Sequence, residues 1–235
     1  GLDTPAEQQE VIDEAKKFVA DCIQEMGIDP AKLVFYGTDQ VAEDIEFFRQ
    51  TIGDEKIWLY GVSYGTAVGQ TYAAAHVDRL AGLVLDGTVD LTLNGEQGAY
   101  SQEKGFDTVL VATLKACDED ADCSAELGGD ALSVYDKLAA QISKKPIAYE
   151  FPLPSGDKVK RTFTFDQFEF VAAYQMYSLG GRNLFLRALS AAKDGDIIPM
   201  ARLLYVQGTI DPATGDYNGD PTFSDTMFTS VHCTD

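Results

Sequence analysis

The spacing of apolar positions predicts two amphipathic helices in the first quarter of the chain. The first covers residues 4–26, where Thr4 can cap the helix and Pro5 suits its first turn. Its apolar stripe is formed by Val11, Ala15, Phe18, Val19 and Cys22. The second covers residues 38–52, and we expect Thr38 to cap it.

A strand, a tight turn, a helix and a second strand are predicted next. The strands are the short apolar runs 57–60 and 80–85, which are rich in strand-forming residues. Between them lie the glycine-containing turn 61–66 and the helix-forming segment 67–75. A strand that returns through a helix to a second strand is the repeating unit of a parallel α/β sheet.

The pattern changes after about residue 93 and becomes mainly helical. Helical spacing covers residues 99–117, 130–143, 166–178 and 182–193. Residues 147–151 and 159–165 favour a hairpin around the turn at 154–157. We therefore expect residues 94–235 to form a mainly helical insertion.

The turn contains Gly61-Val62-Ser63-Tyr64-Gly65, which has the G-x-S-x-G pattern. A buried strand before it and a helix after it are the context in which this pattern forms the nucleophile elbow of an α/β-hydrolase. Ser63 would then be the nucleophile, and the amide N–H of Tyr64 would stabilise the oxyanion at the helix N-terminus. We expect that a side chain at position 61 or 65 would strike the neighbouring strand or helix. A purely structural glycine turn is the alternative.

These elements predict the fold class and domain organisation. The fold is expected to be α/β: a partial α/β-hydrolase core with a parallel sheet, carrying a mainly helical cap or lid. Residues 1–93 would be the part of the core with the nucleophile elbow, and residues 94–235 would be the cap.

A serine nucleophile needs a base, normally a histidine oriented by a carboxylate, and this fold places them in the order Ser, acid, His. The sequence has two histidines. His76 ends the helix after the elbow, and we expect it to be structural. His232 follows Ser63 and Asp211 along the chain, which is the required order, and Asp211 resembles an acid at a strand end. A triad of Ser63, Asp211 and His232 is therefore an open alternative.

Two further groups of acidic residues have alternative interpretations. Asp86 and Asp90 follow the second strand, where some relatives of the fold keep their acid, although Asp86-Gly87 is also an ordinary turn. Residues 216–220 are similar to a calcium loop but lack its distal glutamate, which favours a plain acidic turn. We therefore predict neither a metal site nor a cofactor.

The net charge of −20 argues against polyanionic partners, because such a field repels nucleic acid and anionic lipid. The negative charge would also attract cationic groups such as a peptide amino terminus. An apolar run long enough to span a membrane is absent from the sequence. The chain begins at Gly1, and we expect it to be a processed or excised piece.

Four cysteines are present, at positions 22, 117, 123 and 233. Cys117 and Cys123 bound a short acidic loop without the spacing of a zinc site, which favours a local disulfide. Cys22 and Cys233 could pair with each other or with cysteines elsewhere. Disulfides would place the protein outside the reducing cytosol, in a secreted, extracellular or periplasmic setting. Four free thiols are the alternative.

Several runs of this sequence resemble the secreted tripeptidyl and prolyl aminopeptidases, which are α/β-hydrolase exopeptidases. The runs are Tyr36-Gly37-Thr38, Ile57 to Thr66, Asp78-Arg79-Leu80 and Leu83 to Asp90. The cysteine pair at 117 and 123 and the ending Val231-His232-Cys233-Thr234-Asp235 are also similar to that family's cap. The likeness is strong over residues 36–90 and looser beyond them.

The resemblance implies that other segments of the same polypeptide are needed. Members of that family carry a His-Gly-Gly-Pro-Gly-like oxyanion loop, which is absent here, and keep their catalytic Asp and His beyond the point where this chain ends. On that basis Asp211 and His232 belong to the cap, and companion segments supply the catalytic Asp and His.

The leading hypothesis is a serine aminopeptidase that releases short peptides from free N-termini through an acyl-enzyme on Ser63. A carboxylesterase on the same scaffold is the nearest alternative. A non-catalytic binding or surface protein that has kept the elbow is an alternative of another class. We expect the chain by itself to be inert.

Overall fold

The structure of the chain is a computed structural model that describes residues 4–27, 29–219, 224, 227–228 and 230–231, with all side chains except those of Cys22 and Met26. The chain divides into two compact units. One comprises Gly1–Asn94 with Pro221–Asp235, and the other comprises Gly95–Asp220. The helices and strands described below belong to one unit or the other.

The first unit contains the predicted βαβ arrangement, preceded by helices. Its elements are α1 (Pro5–Met26), a 3₁₀ helix (Pro30–Tyr36), α2 (Thr38–Ile52), β1 (Ile57–Val62), α3 (Tyr64–His76), a 3₁₀ turn (Val77–Arg79) and β2 (Leu80–Asp86). Thr4 caps α1 as predicted, since its hydroxyl accepts a hydrogen bond from the Glu7 N–H and the Glu7 carboxylate returns one to the Thr4 N–H. The predicted cap of α2 is wrong: Gly37 is the N-cap, and Thr38 is already the first helical residue.

The strands β1 and β2 pair in parallel, from Ile57 opposite Leu80 to Val62 opposite Asp86. One face of this sheet packs on α3, where Gly69 lies close to the side chains of Leu83 and Leu85. On the other face Trp58 is 72% exposed and Tyr60 is 65% exposed. Parallel sheets are normally covered on both faces, so this apolar face lacks its usual covering layer among the described residues.

The apolar stripe of α1 is also uncovered in the part of the chain that the structure describes. Val11 and Phe18 of the predicted stripe are exposed, as is the adjacent Ile12, whereas the predicted helix itself is confirmed. An exposed apolar stripe of this length is typical of a helix face that packs against another protein segment.

A buried polar cluster joins α2 to α3. The Glu46 carboxylate accepts hydrogen bonds from Arg49 Nε at 2.8 Å and Nη2 at 2.6 Å, and from the Tyr72 hydroxyl at 2.9 Å. Arg49 Nη1 also donates to the backbone carbonyls of Asp54 and Glu55, which precede β1. Because each buried charge is paired and hydrogen-bonded, the cluster fixes α2 relative to the start of the sheet.

The second unit is mainly helical, as predicted. Its elements are α4 (Gly95–Glu119), α5 (Ala121–Leu127), α6 (Ala131–Lys144), β3 (Ile147–Pro152), β4 (Lys158–Phe163), α7 (Phe165–Gln175), α8 (Leu179–Lys193) and α9 (Ile198–Gln207). The predicted hairpin is confirmed: β3 and β4 are antiparallel, with Ile147 opposite Phe163 and Pro152 opposite Lys158. Helices α5 and α9 were not predicted from the sequence.

The apolar core of the protein lies in this second unit. Its largest fully buried side chains are Leu114, Ile142, Phe163, Phe168, Val171, Phe185, Leu189 and Met200. In the first unit the buried described residues are small or polar apart from Tyr72. The second unit therefore has a core of its own, whereas the first is held largely by its sheet and its polar cluster.

Cys117 and Cys123 are joined by a disulfide with a Cα–Cα distance of 5.2 Å. The segment between them is not the loop that the sequence predicts. Cys117 lies in the last turns of α4, and Cys123 lies in α5, which Asp120 caps through the N–H groups of Asp122 and Cys123. The Cys22 side chain and Cys233 lie outside the described residues, so their predicted pairing stays a prediction.

Removing this disulfide with the double substitution Cys117→Ala and Cys123→Ala should lower the free energy of unfolding by about 2 kcal/mol, because the short ring no longer restricts the unfolded chain. Urea unfolding followed by circular dichroism measures the change. Ser124→Ala, a substitution on the same short helix, serves as the control and should leave the midpoint unchanged. A double variant as stable as the unsubstituted chain would contradict a structural role for the bond.

The Glu46 cluster should make the stability of the chain depend on pH. Hydrogen bonds from Arg49 first, and from Gln50 and Tyr72, hold the pKa of Glu46 well below its usual range, against the opposing effect of burial. A depressed folded-state pKa stabilises the fold above the unfolded pKa of about 4.3, and this stabilisation is lost as the pH falls further. The melting temperature should therefore fall less on acidification in Glu46→Gln than in the unsubstituted chain. Glu55→Gln is the exposed control, and equal pH profiles for all three proteins would refute the assignment.

Candidate active site

Ser63 occupies the turn between β1 and α3 in a strained conformation. Its backbone angles are φ 52° and ψ −122°, and a positive φ at a residue with a side chain is uncommon and costs energy. The Ser63 N–H donates to the carbonyl of Asp86 at 2.9 Å, and the Ser63 carbonyl accepts from the Thr66 N–H at 2.9 Å. The residue is exposed, so the turn presents it to solvent rather than to the core.

The turn is tight enough to require glycine at position 61. A Cβ atom at Gly61 would lie 2.2 Å from the carbonyl oxygen of Gly65, a distance that real Cβ atoms do not reach. The prediction for position 65 is wrong, because a Cβ at Gly65 would meet no atom of a neighbouring strand or helix among the described residues within 4 Å. The steric constraint is therefore one-sided: the end of β1 passes against the first turn of α3.

Tyr64 follows Ser63 as the first residue of α3. The first N–H groups of a helix have no acceptor within the helix and lie at the positive end of its dipole. The Tyr64 hydroxyl is within 2.5 Å of the Thr38 hydroxyl at the start of α2, which holds the Tyr64 ring in place. The geometry suits the predicted oxyanion-binding role of Tyr64, which stays a prediction.

Two residues that support the turn were not singled out from the sequence. The Thr66 hydroxyl donates to the Ser63 carbonyl at 2.6 Å and accepts from the Val89 N–H at 2.9 Å. Gln70 Nε2 donates to the Val89 carbonyl at 2.9 Å. Thr66 and Gln70 thereby fasten the segment after β2 to the first turns of α3. Thr66 directly follows the G-x-S-x-G pattern, and this position was the feature of the sequence that could have indicated its supporting role.

Asp86, the last residue of β2, and Asp90, which follows the strand, already have hydrogen-bonding partners. Asp86 accepts a hydrogen bond from the Tyr60 hydroxyl at 2.8 Å, which raises the pKa of Tyr60. Asp90 accepts from the N–H and the hydroxyl of Thr92, at 2.9 and 2.6 Å, and these bonds lower its pKa. Among the described residues, neither acid is paired with a histidine. Asp86 stays a candidate for the catalytic acid because of its position. The Asp90 carboxylate instead stabilises the turn that begins at Asp90 through its bonds to Thr92.

The contacts of His76 fit the structural role that we expect for it. It ends α3, about 18 Å along the helix from Tyr64 at 1.5 Å per residue. Its Nε2 lies 3.0 Å from a Glu43 carboxylate oxygen, and its ring packs against Tyr72 at 5.1 Å between centroids. Its distance from Ser63 therefore follows from the length of α3.

The alternative triad is not assembled by the described residues. Asp211, in the second unit, accepts hydrogen bonds from the N–H groups of Ala213 at 2.7 Å and Thr214 at 3.4 Å, which is the geometry of a turn-capping aspartate. His232 lies outside the described residues.

A cluster of His, Cys, Asp or Glu side chains able to hold a metal ion does not occur among the residues that the structure describes. In the segment 216–220, which we expect to be a plain acidic turn, Asp220 is outside the described residues, and the Asn218 N–H donates to the carbonyl of Thr209. Over the same described part of the chain, none of the helices is both long and apolar enough to cross a membrane.

Comparison with known proteins agrees with this geometry. Residues 25–126, which include both strands of the parallel sheet and the Ser63 turn, match the family model of the α/β-hydrolase fold. The chain is 35% identical over 128 residues to the serine protease Hip1 of Mycobacterium tuberculosis and of Mycobacterium bovis, in an alignment covering 53% of this chain and 24% of the relative. It is 26% identical over 134 residues to a protein of Escherichia coli K12 named putative hydrolase YuaR, covering 54% of this chain and 26% of the relative.

The chain therefore spans about a quarter of the length of these curated relatives. Its fold class is the predicted one: a partial α/β-hydrolase core with a small parallel sheet, followed by a mainly helical insertion.

Proposed function

We propose that this chain supplies the nucleophile of a serine hydrolase, with Ser63 as the attacking residue. The observation that carries the proposal is the Ser63 turn itself. Its backbone is strained, its residue is exposed, and it stands at the N-terminus of α3 directly after a parallel strand. Strain of this kind persists where the surrounding structure enforces it, and it is concentrated at functional sites. The similarity to a serine protease supports the same assignment.

In this mechanism Ser63 Oγ attacks the carbonyl carbon of the substrate and gives up its proton to a base. The negative charge that develops on the carbonyl oxygen is stabilised by the Tyr64 N–H and the helix dipole. Collapse of the tetrahedral intermediate expels the leaving amine, which takes up a proton, and leaves an acyl-enzyme that water then hydrolyses. No cofactor enters this scheme.

The base and its carboxylate come, in our proposal, from companion segments of the same polypeptide. Three observations support this. His76 is engaged with Glu43 at the far end of α3, the outer face of the parallel sheet has no covering layer among the described residues, and the chain spans about a quarter of its curated relatives. A layer that covers Trp58 and Tyr60 would complete a sheet of the kind that is normally buried on both faces.

We further propose that the substrate is a peptide and that the reaction releases short peptides from free N-termini. The resemblance of residues 36–90 to the secreted tripeptidyl and prolyl aminopeptidases supports this specificity, and the net charge of −20 suits a cationic amino terminus. Residues 94–235 would act as the lid, with residues 1–93 as the catalytic core. The disulfide between Cys117 and Cys123 supports a secreted, extracellular or periplasmic location.

In the intact native protein that carries this sequence, a fluorophosphonate probe should label Ser63. The Ser63→Ala variant should lose the label and at least about a thousandfold in kcat, because the residues of a triad act as a unit. Peptide mapping by mass spectrometry locates the label, and Ser155→Ala, in the exposed hairpin turn, is the matched control. Hydrolysis that persists in Ser63→Ala would refute the proposal, and an intact protein that stays unlabelled would favour a binding protein.

A panel of chromogenic substrates should identify the reaction class. We expect the native protein to hydrolyse tripeptidyl and aminoacyl anilides with free amino groups and to leave their N-acetylated counterparts uncut. The reason is that the anionic protein would bind the free ammonium group. Initial rates are compared with those for p-nitrophenyl esters. Hydrolysis of the esters alone would identify a carboxylesterase and refute the peptidase proposal.

A further inference from the structure

A groove in the second unit combines aromatic walls with a rim of carboxylates. It has a volume of about 560 Å³ and lies between α4 and α7, with one ring contributed by α6. We call it the acidic aromatic groove, and its acidic members are Glu103, Asp107, Asp166 and Glu169. Every residue that lines it lies within the second unit, so its geometry is independent of the Ser63 turn.

Its wall is a continuous row of aromatic rings that runs from α7 to α4. Phe170 and Tyr174 have centroids 4.4 Å apart, Tyr174 and Tyr177 are 5.9 Å apart, and Tyr177 meets Phe106 edge-on at 5.2 Å. Tyr177 is 66% exposed, and Tyr174 is exposed as well. Exposed rings in such a row offer faces that attract cations and pack against alkyl chains.

The carboxylates of the groove come from both helices, α4 and α7. Glu103 and Asp107 are four residues apart on α4 and therefore share one face of that helix, while Asp166 and Glu169 come from α7. Glu169 is held by the hydroxyl of the buried Tyr135, which donates to it at 2.7 Å. Among the described residues, none of the four carboxylates has an ion-pair partner, and no lysine, arginine or histidine lines the groove.

The negative charges act together within the groove. The pKa of Tyr135 is raised by burial first, then by its hydrogen bond to Glu169, and further by the charges of Asp136 and Asp107. Asp107 on α4 and Glu169 on α7 thus act on the same hydroxyl group. An anionic ligand would meet repulsion from both helices, whereas a cation would be attracted by both.

We propose that the acidic aromatic groove binds the basic side chains, arginine or lysine, of a polypeptide. The alkyl stem of such a side chain packs on Tyr174 and Tyr177, while its charged end meets the carboxylates of α4 and α7. An extended partner fits better than a free small amine, because sites for small molecules enclose most of their ligand and all four carboxylates here are exposed. The inference goes beyond the proposed hydrolase function and does not require a free amino terminus.

The test is calorimetric titration of the 235-residue chain with an N-acetylated, C-amidated peptide that alternates alanine and arginine. A peptide with citrulline in place of each arginine keeps the shape and removes the charge. We expect the arginine peptide to bind and the citrulline peptide to bind at least about tenfold more weakly. The double variant Glu103→Gln and Asp107→Asn should weaken binding of the arginine peptide about five- to tenfold.

Matched controls separate the groove from the general negative charge of the protein. Glu119→Gln with Glu150→Gln removes the same number of charges from exposed positions outside the groove lining and should leave binding unchanged. Tyr177→Ala should weaken binding several-fold through loss of the aromatic contact. Circular dichroism verifies that each variant is folded.

Three outcomes would overturn the proposal: no binding of the arginine peptide, equal binding of the citrulline peptide, or equal losses in the groove and control variants. Ser63→Ala should bind the blocked peptide normally. A failure here therefore leaves the hydrolase proposal standing, and a failure of Ser63 labelling leaves this one standing.

Discussion

The close approach between the end of β1 and the first turn of α3 is the constraint on which the candidate site depends. With 2.2 Å between a hypothetical Cβ at Gly61 and the carbonyl oxygen of Gly65, the chain can make this bend only with glycine at position 61. The bend forces Ser63 to a positive φ, and the bonds from Ser63 to Asp86 and from Thr66 to Ser63 keep it there. The strain is thus maintained by the pairing of β1 with β2 and by the start of α3 together.

The two units differ in what holds them together. The second has a large apolar core, a hairpin and a disulfide, all formed from its own residues. The first has a two-stranded parallel sheet with an uncovered face and a buried cluster of Glu46, Arg49 and Tyr72. A polar cluster of this kind fixes geometry more than it adds stability, since the cost of burying the charges offsets much of their attraction. The elbow is therefore positioned by one part of the chain, and the large apolar core is formed by another.

The sequence predicted the elements whose signals are local. Strand-forming runs around a glycine turn gave β1, α3 and β2, and helical spacing gave α1, α2 and most of the second unit. The position of a threonine in the sequence does not reveal whether its hydroxyl caps a helix or makes a hydrogen bond to a distant residue. Thr38 was accordingly misassigned as a cap, whereas its hydroxyl meets Tyr64 from another helix. Thr66 and Gln70 were missed for the same reason, since their partner Val89 is reached only once the sheet has formed. The groove between α4 and α7 could not be predicted, because it depends on which faces of distant helices meet.

The uncovered sheet face also gives the molecule an optical reporter. Trp58 is the single tryptophan of the chain, and its indole lies against Gly82 of the neighbouring strand, where a Cβ would come within 2.1 Å of the ring. All tryptophan emission of the chain therefore originates from one fixed point on the sheet. A protein layer that covers this face removes water from the exposed indole, so the wavelength of its fluorescence emission distinguishes a bare sheet from a covered one.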